Sequence, residues 1–461
     1  MFKTAFDFQS IRALYASGDA TPIDIIRLVY SRIEEDDRSG LWITLRPLEQ
    51  TIELAQGLLR KSDRGLPLYG LPFSVKDNID VVGLPTTAAC PAYSYMPEKS
   101  ATVVEQIEAA GGICVGKTNL DQFATGLNGT RSPYGPCGAA FDASMVSGGS
   151  SSGSGVSVAL QQVAFSIGTD TGGSGRIPAG LNNIVGLKPT VGSLSTAGLV
   201  PCSRTLDCPT VFALSVDDAL EVATVAQQYD PADLSLRSDA KLATFHRATV
   251  PATLKLMGPL PEQRQFFGNT EGRALYDNAL AKLSELGATI DTTDFEPLLA
   301  SGRMLFDGPW VADRFAAVGS FIKANREEVL PTTAVIVENG EKWTGVDVFE
   351  AMDALRLVNA TTRTLLQNAD ALVVPTVATL YSIEQMQADP VERNNHHGYY
   401  SYWANLLDLC AISVPTGFYA SGMPFGVTLL APAFRDAELA AIARSITEQT
   451  GAPLGRPRPL S

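Results

Sequence analysis

The chain is poor in histidine, the side chain most often used as a general base. Only His246, His396 and His397 occur in 461 residues, so a histidine base would have to be one of these three. Cysteine is sparse as well. Cys90, Cys114, Cys137, Cys202, Cys208 and Cys410 form no CxxC pair, which argues against a zinc site or a disulfide framework. Dispersed thiols of this kind fit a reducing cytoplasm. Basic residues number 35 against 49 acidic ones, giving a formal net charge of −14. Such a chain lacks the positive footprint needed for nucleic acid or for an anionic membrane surface. No run of about 18 uncharged apolar residues is present, so no membrane span is expected. The opening MFKTAFDFQSIRALYASGD is amphipathic and has no small-residue cleavage pattern after an apolar block, so it does not read as a signal peptide.

What is present is ordinary globular material, 45% hydrophobic and 18% charged, with enough apolar content for a large core. Thr21-Pro22 signals a helix start, with Ile26, Val29, Tyr30 and Ile33 recurring at helical spacing. A second helix is expected over roughly 47–61, and Ser100 is placed to cap a third through Val103, Val104 and Ile107. Short apolar strands alternate with these helices, among them VAFSIGTD, ATIDTTDF, ALVVPT, AISVPTGF and PFGVTLLAP. The alternation predicts an α/β protein whose large sheet is covered by helices on both faces. No internal repeat or linker is evident. A single domain over 1–461 is expected, with any lobe boundary near 230–275.

Three glycine-rich stretches compete for the chemistry. GGICVGKT, Gly111 to Thr118, matches the phosphate-loop pattern GxxxxGK[ST] letter for letter. Its middle is an apolar strand and a helix precedes it, whereas a phosphate cradle lies between a strand and the helix that follows. The nucleotide reading therefore fails on context, and Lys117 is expected to end a strand. VSGGSSSGSGVSVA, 146–159, could be a flexible linker, but it runs directly into an apolar helical segment. SIGTDTGGSGRIP, 166–178, ends a strand in a polar glycine-rich turn. Successive backbone N–H groups there could cradle a developing oxyanion, and a serine at its end could attack the carbonyl. That serine needs a base, and no histidine lies in any of the three stretches. A buried lysine can serve, because desolvation favours its neutral form. Lys76, in PFSVKDNID, is the one lysine set at an apolar strand end; the plain alternative pairs it with Asp77 or Asp80.

Lys76, Ser150 in GGSSSGSG and Ser174 in GTDTGGSGRIP together resemble the amidase signature family over nearly the whole chain. The resemblance implies a large twisted mixed sheet between helices and a Ser–cisSer–Lys triad. Ser174 is then the nucleophile, Ser150 the bridging serine with a cis peptide at or next to it, and Lys76 the base. Thr171, Gly172, Gly173 and Ser174 would supply oxyanion N–H groups, and Asp170 with Arg176 would form an ion pair that holds the loop. No cofactor or metal is implied.

Further stretches, including KTNLDQFATGLNGTRSPYG, GLVPCSRTLDC, LFDGPWVADR and NLLDLCAISVPTGF, are similar to the allophanate hydrolase branch of that family. Members of that branch cleave a small anionic amide, the carboxylated urea made by a biotin carboxylase. By this likeness Arg314 holds the substrate carboxylate and Gly126 lines the small pocket. Where the branch usually has tyrosine, this chain has Phe306. Eight residues separate Phe306 from Arg314, about two helical turns, so both are expected to face one pocket from one helix; otherwise Arg314 pairs with Asp307 or Asp313. Branch members often carry a further C-terminal domain, whereas this chain stops at GRPRPLS. It is expected to stand alone or to work with a separate partner, and a homodimer is also entertained. Three other readings stay open: hydrolysis of another small amide such as a malonamate or carbamoyl compound, a non-catalytic amidase-like scaffold in a complex, and a nucleotide-dependent enzyme.

Overall fold

Thr21 begins the helix Pro22–Glu34 with a reciprocal cap: its hydroxyl takes the Asp24 N–H, and the Asp24 carboxylate takes the Thr21 N–H. Ile26, Val29 and Tyr30 on that helix are buried, as their spacing predicts. The structure is a computed structural model that describes residues 5–36, 38–61, 65–228, 233–239, 245, 248–451 and 454–457. The helix expected over 47–61 spans Leu48–Arg60. Ser100 is not the cap of the helix Thr102–Ala109; its hydroxyl accepts the Val82 N–H at 2.9 Å instead, and Ala101 stands at the cap without a side-chain bond.

Eleven strands form one sheet: β1 (Trp42–Leu45), β2 (Pro72–Lys76), β3 (Ile113–Thr118), β4 (Phe165–Asp170), β5 (Val185–Lys188), β6 (Cys208–Ala213), β7 (Leu254–Pro259), β8 (Ala288–Thr293), β9 (Ala371–Pro375), β10 (Leu409–Phe418) and β11 (Pro424–Pro432). Their order is β1-β3-β2-β4-β6-β5-β10-β11-β9-β7-β8. The sheet is mixed. β2 runs parallel to β3 and β4, β7 runs parallel to β8 and β9, and the central pairs from β4 to β9 are antiparallel.

Both faces of the sheet are apolar. Ile412 and Val414 of β10 join one core with Val373 and Leu429, while Ala411 joins another with Leu372, Val374 and Leu430. Successive side chains of a strand point to opposite faces, so this division places a packed layer on each side. The segment 230–275 includes residues 230–232, 240–244 and 246–247, which with His246 lie outside the described residues; by Leu254 the chain is in the same sheet as β7. Among the described residues no helix is long and apolar enough to cross a membrane.

Parallel pairing decides where the site lies. β2 and β4 are in register at Val75 and Ile167, so both strands deliver their carboxyl ends to one edge of the sheet. Lys76 ends β2 and Asp170 ends β4, and open α/β sheets gather ligands at such ends.

Candidate active site

Lys76 is fully buried, and its Nζ lies 2.7 Å from Ser150 Oγ and 2.7 Å from Thr169 Oγ1. Burial pushes its pKa down from 10.5 to about 8, against the upward pull of nearby Cys202, Asp207, Asp121 and Asp170. The two carboxylates offered as alternative partners are engaged elsewhere. Asp77 Oδ1 is 3.1 Å from Lys117 Nζ, with both side chains inaccessible to water, and Asp80 accepts the Tyr95 hydroxyl at 2.7 Å. Lys117 lies next to the end of β3 inside this buried pair, and only a single 3-10 turn, Gln122–Ala124, follows, not the helix that a phosphate loop requires.

Ser150 is presented by a tightly packed serine-rich loop. The Gly149–Ser150 peptide is cis. A methyl group on Gly149 would stand 2.1 Å from Asp121 Oδ2 and 2.7 Å from Gly129 N, so only glycine fits there. The Ser150 carbonyl accepts the N–H groups of Asp121 and Ser152 at 3.1 and 2.9 Å. Ser151 ties the loop to the end of β4: its hydroxyl bonds the Thr169 carbonyl and N–H, and its own N–H donates to the Ser174 carbonyl. The helical segment expected after this loop begins within it, at Ser152, and ends at Ala159.

Ser174 follows β4 in the turn that Asp170 organises. The Asp170 carboxylate accepts the N–H groups of Gly173, Gly175 and Arg176 and a forked pair from the Arg176 guanidinium, Nε and Nη2 each at 2.9 Å. Burial alone would raise the Asp170 pKa, but the Arg176 charge and these bonds hold it at about 2. The far end of Arg176 meets the Ser401 carbonyl and Asn405 Oδ1, and Asn405 Nδ2 bonds the Asp170 carbonyl. Gly173 is therefore a poorer oxyanion donor than its position suggests, since its N–H already points 2.8 Å to Asp170 Oδ1. The N–H groups of Thr171, Gly172 and Ser174 have no acceptor among the described residues. No hydrogen bond joins Ser150 to Ser174 there either, a link that often tightens only on substrate binding.

Phe306 and Arg314 do not share a helix. Phe306 ends the helix Glu296–Phe306, and Arg314 lies one turn into the helix Val311–Ala324. Gly308-Pro309 falls between them, and the intervening turn brings the two together: the Arg314 guanidinium stands 4.6 Å over the Phe306 ring. That ring reaches the Ser174 loop, because a methyl on Gly172 would lie 3.8 Å from it and 2.4 Å from Leu305. Arg314 is 1% exposed, and its Nε and Nη1 have no partner among the described residues. Asp313, one of its two expected counter-ions, instead takes the hydroxyls of Ser203 and Thr205. Gly126 lies in the loop 121–131 wrapped about Asp121, whose carboxylate accepts the N–H groups of Asn128, Gly129 and Arg131.

Several neighbours had no signal in the sequence spacing. Thr169 becomes the second partner of Lys76 only through β2–β4 register. Asp207, with its pKa raised by burial to about 6, accepts the Thr171 hydroxyl at 2.5 Å. Burial also raises the Cys202 thiol pKa, and its Sγ donates to the Ala124 carbonyl at 3.4 Å. The Tyr402 ring packs 4.5 Å from Phe306, and its hydroxyl is engaged by Asn394 and Asn395.

The chain is 43% identical over 429 residues to the urea amidolyase of Saccharomyces cerevisiae, which covers 91% of this chain but 23% of that protein. This chain thus spans about a quarter of that relative. It superposes on the Kluyveromyces lactis allophanate hydrolase structure with a TM-score of 0.89 and 39% identity, covering 96% of this chain and 73% of the other. It is also 30% identical to a glutamyl-tRNA(Gln) amidotransferase subunit of Exiguobacterium, over 96% of both chains. Residues 24–440 match the Amidase family, so the lysine and serines gathered at this sheet edge belong to an amidase, and the chain is a member of that family.

Proposed function

We propose that this amidase hydrolyses allophanate, with Ser174 as nucleophile, Ser150 as proton bridge and Lys76 as base. The observation that carries the substrate assignment is Arg314. A buried guanidinium with two nitrogens unpartnered among the described residues is costly unless an anion completes it, and a small carboxylate presented beside Gly172 would do so. Ser174 Oγ attacks the terminal amide carbon, and its proton passes through Ser150 to Lys76. The developing oxyanion is met by the N–H groups of Thr171, Gly172 and Ser174. The proton returns to the departing nitrogen and ammonia leaves. Water then cleaves the ester on Ser174, and the carboxylated product loses carbon dioxide.

Phe306 supports a second reading, hydrolysis of a different small amide such as a malonamate or a carbamoyl compound, because it brings no hydroxyl to the carboxylate. Ammonia release from allophanate, biuret, malonamate, urea and longer fatty or aryl amides separates the two. The first reading expects the highest kcat/KM on allophanate; a neutral amide at the head of the series would overturn it.

A further inference from the structure

Both ends of the proposed substrate cavity are fastened to one short turn, residues 202–207. At one end, Asp207 Oδ1 accepts the hydroxyl of Thr171, the residue that follows Asp170 into the Ser174 loop, at 2.5 Å. At the other, the Asp313 carboxylate accepts the hydroxyls of Ser203 and Thr205 at 2.6 and 2.9 Å and the Thr205 N–H at 3.1 Å. Asp313 immediately precedes Arg314 on the helix Val311–Ala324. The turn itself is closed by its own bonds. The Ser203 carbonyl accepts the N–H groups of Leu206 and Asp207, and the Asp207 carboxylate accepts those of Cys202 and Ser203. Asn405 adds a third tie, since its Nδ2 donates to the carbonyls of Leu206 and Asp170 at 2.9 and 2.8 Å. Ser203, Leu206, Asp207 and Asn405 are all buried, where a satisfied polar network is stiff.

We infer that Asp207 and Asp313 are positioning residues that fix the spacing between the oxyanion donors and Arg314, and so select the length of the substrate. Asp207 acts through Thr171 and Asp313 through Arg314. A site held this way, with a second layer of bonds behind the groups that meet the ligand, has a set span. The inference rests on the reading that the cavity takes a small amide bearing a carboxylate. Allophanate and malonamate both have one atom between the amide carbon and the carboxylate carbon, so it holds for either. With no atom between them the carboxylate falls short of Arg314; with two it is pushed past, and a misplacement of about 1 Å is enough to cost about a hundredfold in rate.

Kinetics of the full chain on oxamate, malonamate, succinamate and the neutral propanamide test it, the first three placing no, one and two atoms between those carbons. The wild type is expected to have its highest kcat/KM on malonamate. Asp313→Ala loosens the Arg314 end. KM for malonamate should rise about tenfold or more with kcat kept, the preference for malonamate over succinamate should shrink, and propanamide should be turned over as before. Ser203→Ala should shift that preference the same way by less, and should add nothing to Asp313→Ala, because both cut one link. Thr171→Val loosens the other end, and kcat should fall about tenfold on every amide with KM little changed. Circular dichroism reports the fold of each variant. A wild type that prefers propanamide would overturn the substrate reading and the inference with it. A wild type that prefers malonamate, with the same length preference in Asp313→Ala and Ser203→Ala or an unchanged kcat in Thr171→Val, would overturn the positioning role alone.

Discussion

Lys76 Nζ and Ser150 Oγ stand 2.7 Å apart where water does not reach either side chain. In the proposed reaction this contact makes the protonation state of one lysine control turnover. Below about pH 8 Lys76 carries its proton and cannot take another; above it the amine is free to act as base. kcat/KM is therefore expected to rise with pH through about 8. A profile that is flat or falls between pH 6 and 9 would remove Lys76 from the base role. Lys76→Ala and Lys76→Arg should both be nearly inactive, since arginine stays protonated.

Thr169 offers a finer test of the same contact. Its hydroxyl accepts from the lysine and so favours the charged ammonium. Thr169→Val should lower the Lys76 pKa further and move the rise in kcat/KM to lower pH. An unmoved profile with a lower plateau would make Thr169 a packing residue only.

Ser174→Ala should lose at least about a thousandfold in kcat while keeping the fold. The turn is shaped by Asp170, which holds the N–H groups of Gly173, Gly175 and Arg176, and not by the Ser174 hydroxyl. Circular dichroism and the melting temperature should match the wild type. Retained turnover in this variant would mean that another group attacks the amide. His396→Ala and His397→Ala serve as controls. Burial lowers both histidine pKa values, His397 to about 4, and their ring nitrogens bond Tyr381 and the Leu127 carbonyl and not the triad.

How much of this was legible in the sequence depends on the range of the interaction. Lys76 and Ser174 stand out locally, the one at an apolar strand end and the other in a glycine-rich turn after a strand, whereas Ser150 is singled out only through the resemblance to the amidases. The strands in VAFSIGTD, ATIDTTDF, ALVVPT, AISVPTGF and PFGVTLLAP show themselves as short apolar runs, whereas β5, β6 and β7 are not read from the sequence. Strand order does not show itself, because antiparallel pairing of β4 with β6 or of β5 with β10 leaves no mark on either strand alone. The spacing of Phe306 and Arg314 indicates their proximity but the wrong cause, since helical periodicity cannot see the break at Gly308-Pro309. The Lys117–Asp77 pair was invisible because one member lies in β3 and the other just after the neighbouring β2, 40 residues away in the chain.

Asp170 and Arg176 make a stability prediction. Both are completely buried and bonded through a fork. Asp170→Asn leaves Arg176 without its charge partner and should cost about 3–5 kcal/mol of stability. The pH dependence follows from the depressed pKa of Asp170. The folded protein holds that carboxylate ionised down to about 2, below its usual 3.8, so the contribution is complete above pH 4 and is lost as pH falls through about 2. Urea unfolding of wild type and Asp170→Asn across pH 2–6 should show the gap between them narrowing toward the acid end. A constant gap would mean that packing, and not charge, underlies the loss.

The substrate assignment rests most heavily on Arg314 and Phe306. Arg314 presents two nitrogens without a partner among the described residues and lies 4.6 Å over an aromatic ring that borders Gly172. Removing a charge-assisted bond to a carboxylate typically costs a few kcal/mol, and the cost falls only on substrates that bear the charge. Arg314→Leu should therefore lose about a hundredfold or more in kcat/KM on allophanate and much less on an uncharged short amide. Leucine suits the test because a buried arginine replaced by an apolar side chain does not leave a new unpaired charge. Phe306→Tyr adds one hydroxyl at the edge of the same ring. Tyr402 cannot already supply that group, since its hydroxyl is held by Asn394 and Asn395. If the missing hydroxyl is the only difference from a site built for the anion, Phe306→Tyr should keep or improve kcat/KM on allophanate. Equal losses on charged and neutral amides with Arg314→Leu would make the arginine a support of the fold, and a gain on neutral amides alone with Phe306→Tyr would point to another substrate.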